Sequence, residues 1–252
     1  KLYEKEKKLR KNIGLWVFIA FALYLTFANL SGVGLVEWIL QRLYMIPGIV
    51  IGLSLHEFGH AFVADRLGDP TPRRAGRVTT NPLAHTDPRG MLLLLFAGFG
   101  WGIPVGINSM YFKNRKRGEI MVGFAGVTMN LIIAIVTAFV MAVLTKVTPE
   151  FNLSLLYQGS GLFYIIFQVL YRVMFINVVL MVFNLLPIPP LDGFGIITAI
   201  FNLERWQYFE EFYRSGLFII LILIITGMLD RILMPLITLI LTPLIHIMQI
   251  FS

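Results

Sequence analysis

Charged residues divide the chain into long uncharged intervals. No Asp, Glu, Lys or Arg occurs in 12–36, 43–55, 90–112, 120–145, 151–171, 173–191, 215–229 or 232–252. A helix that crosses the hydrocarbon core needs about 20 predominantly apolar residues. Intervals 12–36 and 120–145 meet that length outright. The 43–55 interval runs on through 56–64, interrupted by His56 and Glu57, and predicts a span over 43–64. The pattern as a whole predicts an all-α polytopic membrane protein with about six transmembrane segments. These are 13–30, 43–64, 118–145, a fourth starting near Arg172 or somewhat earlier, one over about 212–229, and 232–252. The last contains Pro235 and Pro243 and either crosses, dips in or lies along the interface. Pro187, Pro189 and Pro190 forbid a continuous helix, so the fourth segment must break there.

Composition narrows the class. Hydrophobic residues make up 57% and charged residues 14%, with a mean hydropathy of +0.78. A soluble domain carries about 25% charged residues, so this composition cannot furnish the surface of a soluble globule. Cysteine is absent, which excludes thiol catalysis, disulfides and thiolate metal sites. The net charge of +7 would suit a nucleic-acid partner, but its distribution points elsewhere. Fifteen of the 21 Lys and Arg lie in 1–11, 66–89 and 113–117, and such clusters mark cytoplasmic segments of membrane proteins. No nucleic acid is expected; the lipid bilayer is. Residues 1–12 read as a basic cytoplasmic tail. Residues 13–30 read as a retained span and not a cleaved signal, because no small-residue cleavage site follows the apolar run.

The interval 90–112 has basic flanks on both sides and therefore predicts a re-entrant segment. Within it Gly98, Gly100, Gly102, Pro104 and Gly106 disfavour helix, while Trp101, Ile103, Val105 and Ile107 alternate with period two. This predicts a short β-like loop. Its unpaired backbone groups cannot face lipid. An extended substrate adding a strand would satisfy them, with Trp101, Ile103 and Val105 as substrate-binding residues. A Gly-rich plug packed against the helices is the alternative.

The chemistry lies in the second span. His56-Glu57-Phe58-Gly59-His60 puts two imidazoles one turn apart on one helical face. That spacing lets both reach one Zn²⁺ while Glu57 stands beside it as a base. Two core histidines hydrogen-bonded inside a bundle would be the bland alternative, but ionisable groups within a span are expensive and by default functional. His60 and His56 precede Arg66 by six and ten residues. At about 1.5 Å per residue the pair lies roughly 9–15 Å inside the cytoplasmic end. Zinc in a catalytic site takes a third protein ligand and keeps one position open. Asp192, after the proline break, is the acidic residue in a strongly apolar context. Counted back from Glu204 along a helix, it falls about 18 Å deep, in a similar layer.

These residues resemble the site-2 protease family of intramembrane zinc metalloproteases. The family pattern is a His-Glu-x-x-His helix and a later Asn-x-x-Pro…Leu-Asp-Gly segment, which stand here as His56–His60 and Asn184–Gly193. Gly76–Pro88, Gly98–Asn108 and Ala125–Asn130 are similar to the cytoplasmic loop, the re-entrant stretch and the third core helix of its compact bacterial-type members, which lack a PDZ domain. The likeness covers roughly 52–195. It departs at Val127-Thr128, where the family usually has Pro after Ala-Gly, and at Phe194, where some relatives have Gly. The resemblance implies regulated intramembrane proteolysis of a transmembrane protein substrate. His56, His60 and Asp192 would hold zinc and Glu57 would be the base. Asn184 would contact the substrate backbone or the oxyanion, although an Asn there could equally cap the broken helix. It further implies one membrane-embedded domain over 1–252, with a catalytic core at about 43–203 and C-terminal membrane segments at 204–252, in a bacterial-type cell membrane with the N-terminus cytoplasmic. A membrane metal-ion carrier would also place His and Asp in the bilayer, but it needs no Glu between the histidines. A catalytically inactive scaffold would not keep every catalytic position. His85 reads as a hydrogen-bonding loop residue, and His246 has no carboxylate or second His at helical spacing.

Overall fold

The structure is a computed structural model that describes residues 34–97, 102–148, 150–156 and 158–249. The expected first span at 13–30 lies outside these residues. The described chain is helical, with one isolated antiparallel bridge between Thr86 and Gly102. The principal helices are α1 (Leu35–Arg66), α2 (Pro88–Ala97), α3 (Arg115–Val147), α4 (Gly161–Asn184), α5 (Asp192–Phe201), α6 (Phe209–Ile225) and α7 (Met228–Gln249). Among the described residues four are long and apolar enough to cross a membrane: α1, α3, α4 and α7. The protein is thus an integral membrane protein.

α1 begins well before the expected residue 43. Glu37 and Arg42 interrupt the apolar run, yet a helix can carry charged side chains where it emerges into the headgroup layer. α4 likewise starts at Gly161 and carries Arg172 within it. The segment expected over 212–229 is a 17-residue helix, and crossing length passes to α7, which continues through Pro235 and Pro243. Proline in a membrane helix is tolerated where neighbouring groups satisfy the freed carbonyls.

The helices around the candidate site meet through glycine. A Cβ on Gly48 would lie 3.0 Å from the Arg172 carbonyl oxygen, and one on Gly52 would lie 3.1 Å from Asn177 Oδ1. α1 and α4 therefore run parallel in close contact. A Cβ on Gly59 would lie 2.9 Å from the Ala125 carbonyl oxygen, while Asn130 reaches back to Gly52, so α3 runs antiparallel to α1. Small residues at such crossings let backbones approach within membranes, where the hydrophobic effect gives helices no reason to associate. Against this frame Ile49, Leu53, Leu95, Ile176 and Leu180 form one core, joining α1, α2 and α4. A larger core joins α3, α4 and α7 through Met141, Phe167, Met174, Val178, Leu233 and Ile237. Met248 shares a cavity wall with Thr145 and Asn152, so α7 ends on the same side as α3. Outward residues such as Val136, Phe139, Leu217 and Leu239 stay exposed, as a lipid-facing surface requires.

Candidate metal centre

The proline segment does what its composition predicts. α4 stops at Asn184, and α5 starts at Asp192, so the carboxylate sits in the first turn of a new helix, where the backbone dipole favours negative charge. Gly193 follows because a side chain there would run into the carbonyls of Leu185 and Leu186. The break turns Asp192 toward α1. Its Oδ2 lies 3.1 Å from His56 Nε2 and 3.2 Å from His60 Nε2, and the two Nε2 atoms are 3.1 Å apart. The imidazoles stand nearly perpendicular, at 84°. Gly126 of α3 backs both rings closely enough that a Cβ there would fall within 3 Å of each.

The donor set shows what the three atoms fit. His60 Nδ1 is 2.7 Å from the Val122 carbonyl oxygen, which only accepts, so Nδ1 carries the proton. His56 Nδ1 is 2.7 Å from Asn130 Oδ1, whose amide nitrogen donates to the Gly52 carbonyl, so His56 Nδ1 carries its proton too. In neutral imidazoles both Nε2 atoms then present lone pairs, beside a carboxylate oxygen. Three acceptors converge with no donor between them, and their ligand atoms lie within 4.8 Å of one another. A metal cation satisfies such a group. Two imidazoles and one carboxylate are a zinc donor set, with room in a tetrahedron for one further ligand.

Glu57 points to the same space. His56, Glu57, His60, Asp192, Asn184 and Val105 line one cavity of about 460 Å³. Asn184 gives one amide hydrogen to the Leu180 carbonyl at 2.9 Å. The stretch 102–108 crosses the site as a strap without helix. It is tied down at Ile103 N–H to His85 O (2.7 Å), Val105 N–H to Glu57 Oε2 (3.0 Å) and Asn108 N–H to the buried Asp69 Oδ2 (2.7 Å). The N–H groups of Ile103 and Val105, which the sequence reading offers to a substrate, are therefore held by the protein's own acceptors. Trp101 lies outside the described residues. His85 is a fully buried loop residue, its Nε2 2.8 Å from the Thr79 carbonyl, and it is not part of the metal group.

Neither residue that orients the imidazoles is given that role by the sequence: Val122 is not singled out, and Asn130 enters only as the end of the Ala125–Asn130 stretch. Val122 acts through its backbone, which leaves no trace in a sequence. Asn130 does leave one, as an amide in an otherwise apolar span.

Comparison with known proteins agrees with this chemistry. The profile of peptidase family M50 matches residues 44–226. YwhC of Bacillus subtilis (strain 168) is 34% identical over 192 residues, covering 76% of this chain and 84% of YwhC. Rip2 of Mycolicibacterium smegmatis is 32% identical over 193 residues, covering 74% of this chain and 68% of Rip2. MJ0392 of Methanocaldococcus jannaschii is 27% identical over 163 residues, covering 65% of this chain and 35% of that protein. The names of all three contain the words zinc metalloprotease. No solved structure matches the chain. The chain belongs to peptidase family M50, the site-2 protease family, and is a membrane zinc metalloprotease.

Proposed function

We propose that this protease hydrolyses peptide bonds within or beside transmembrane segments of membrane-protein substrates, as in regulated intramembrane proteolysis. The observation that carries this reading is the shared cavity: Glu57 and the three metal ligands line it together, among helices of membrane-crossing length. His56, His60 and Asp192 would hold the zinc. Zinc, when bound, supplies the Lewis acidity that polarises a carbonyl and makes water a nucleophile near neutral pH. The Glu57 carboxylate takes the water proton and delivers it to the leaving amine. Val105 N–H holds one of its oxygens in place, and Oε1 has no hydrogen bond among the described residues. The second amide hydrogen of Asn184 supports a role on the substrate carbonyl. A reporter with a transmembrane helix should be cleaved by the purified protease, and cleavage should stop on chelation. Cleavage of a soluble peptide of the same sequence, with the transmembrane form untouched, would refute the substrate class.

A helical substrate hides its carbonyls in its own hydrogen bonds and must unwind before attack. We assign the unwound stretch to the outer edge of the strap. Its inner edge is taken by Glu57 and His85, whereas Gly106 N–H is free among the described residues. Ile103 and Val105 then contribute side-chain contacts. Gly106→Pro removes that donor and should raise KM for the transmembrane reporter several-fold with zinc content unchanged; an unaltered KM would exclude pairing at this edge.

The crossing path follows the basic clusters. The N-terminus and residues 66–89 and 113–117 are assigned to the cytoplasm of a bacterial-type cell, with 13–30, α3 and α7 running outward and α1 and α4 inward. α2 and the strap re-enter from the cytoplasmic side. On the Cys-free chain, single cysteines at Arg74 and Arg115 should label only from the cytoplasm, and one at Ser154 only from outside. Outside labelling at Arg74 would reverse the path and the depth of the metal.

A further inference from the structure

We propose that Asn177 is a positioning residue for the metal centre, which fixes the orientation of the Asn130 amide and thereby holds His56 in its metal-binding tautomer. The proposal rests on the zinc-protease reading.

One group in this network cannot change polarity. The Val173 carbonyl of α4 only accepts, and Asn177 Nδ2 donates to it at 2.8 Å. Asn177 must then turn Oδ1 the other way, where it accepts from Asn130 Nδ2 at 2.9 Å. Asn130 in turn must present Oδ1 to His56 Nδ1, at 2.7 Å. The direction of one backbone carbonyl in α4 is thus passed through α3 to a metal ligand on α1. Both asparagines are fully buried. Gly52 makes the crossing possible, since a Cβ there would press on Asn177 and Leu180, and its carbonyl gives the Asn130 amide a second acceptor at 3.2 Å.

The relay excludes a specific wrong state. With the Asn130 amide turned over, its NH₂ would donate to His56 Nδ1 and the imidazole proton would move to Nε2. That proton would point at Asp192 Oδ2, 3.1 Å away, and form a stable His–Asp hydrogen bond in place of a metal site. The flip would also set Asn130 Oδ1 against Asn177 Oδ1 and the Gly52 carbonyl, two buried acceptor–acceptor contacts. Buried amides without partners are costly, so Asn177 makes the wrong tautomer the expensive one. His60 needs no such device, because Val122 fixes it through the backbone. The two ligands differ in this respect: one is oriented by chain geometry, the other by a side chain that could rotate.

The test measures zinc affinity by chelator competition, and the His56 tautomer by ¹⁵N spectroscopy of the metal-free protein on the alkaline plateau of its pH titration, where the imidazoles are neutral. The chain has four histidines, so the spectrum is sparse. Wild type should show the proton on Nδ1 of His56. Asn177→Leu should weaken zinc binding about 10-fold, the scale of losing a group that orients a metal ligand, and shift the proton toward Nε2. Adding Asn130→Asp to Asn177→Leu should restore affinity, because a carboxylate has no NH₂ to offer His56. A loss of packing alone would not be rescued in this way, and failure of that rescue overturns the proposal. So does unchanged zinc affinity in Asn177→Leu, or an Nε2 proton in wild type, a measurement that holds even if the Leu variant does not fold. A wild-type protein that binds no zinc would instead refute the metal-site reading on which the proposal rests.

Discussion

Asp192→Ala should strip the protein of zinc and of all proteolytic activity. The carboxylate is one of only three protein ligands, and it comes from a different helix than the other two. Without it the metal would be held by two imidazoles on a single turn of α1, which leaves half of a tetrahedral shell to water. Loss of a group that merely orients a ligand costs about 10–100-fold in affinity, so loss of the ligand itself should exceed 100-fold. Metal analysis after dialysis against a weak chelator reads the effect. Stoichiometric zinc in Asp192→Ala would remove Asp192 from the ligand set. Because the break at 185–191 is made by prolines and held by Gly193 against the Leu185 and Leu186 carbonyls, the variant should still fold.

Glu57→Gln should behave differently. The amide keeps the size of the carboxylate and offers no base, so zinc content should match wild type while turnover falls by about 10²–10⁴, the usual worth of a positioned general base. That corresponds to about 3–5 kcal/mol of barrier. Gln at 57 can still accept from Val105 N–H through its carbonyl oxygen, so the strap should remain docked. Measured together, the two variants separate holding the metal from moving the proton. Residual activity near wild type in Glu57→Gln would reject the base assignment.

The metal site was legible because its parts obey short-range rules. His56 and His60 are one turn apart, Glu57 lies between them, and the depth of Asp192 follows from counting residues to the flanking charges. The structure brings the three ligand atoms within 3.2 Å of one another. Asn130 and Asn177 were not legible, since 47 positions separate them and their pairing depends on how α3 crosses α4. What the sequence did offer was the cost of an amide in an apolar span, which could have marked both for attention. Helix ends were misplaced for a related reason. Glu37 and Arg42 bound the uncharged intervals, although α1 carries both inside its helical length, and α4 begins at Gly161, on the earlier side of the start expected near Arg172. For 232–252 the sequence leaves crossing, dipping and interfacial readings open, and the structure gives a helix of 22 residues through both prolines, long and apolar enough to cross. The inward edge of the strap was beyond any periodicity argument: alternation shows that a segment is extended, not which neighbour takes its N–H groups.

The glycine contacts between α1, α3 and α4 decide which parts of this protease can serve as hinges. At Gly48 and Gly59 the helices approach a neighbouring carbonyl, of Arg172 and Ala125 respectively, with no Cβ between, so sliding one helix drives carbonyl oxygens toward α-carbons, while Gly52 is packed by the side chains of Leu180 and Asn177. His56 and His60 on α1 and the amides of Asn130 and Asn177 behind them are seated on that frame. The strap is fastened from outside that frame, by three hydrogen bonds. The enzyme thus pairs a metal group seated on close helix contacts with a strap held by hydrogen bonds alone, and it is the strap that can open at the lower cost.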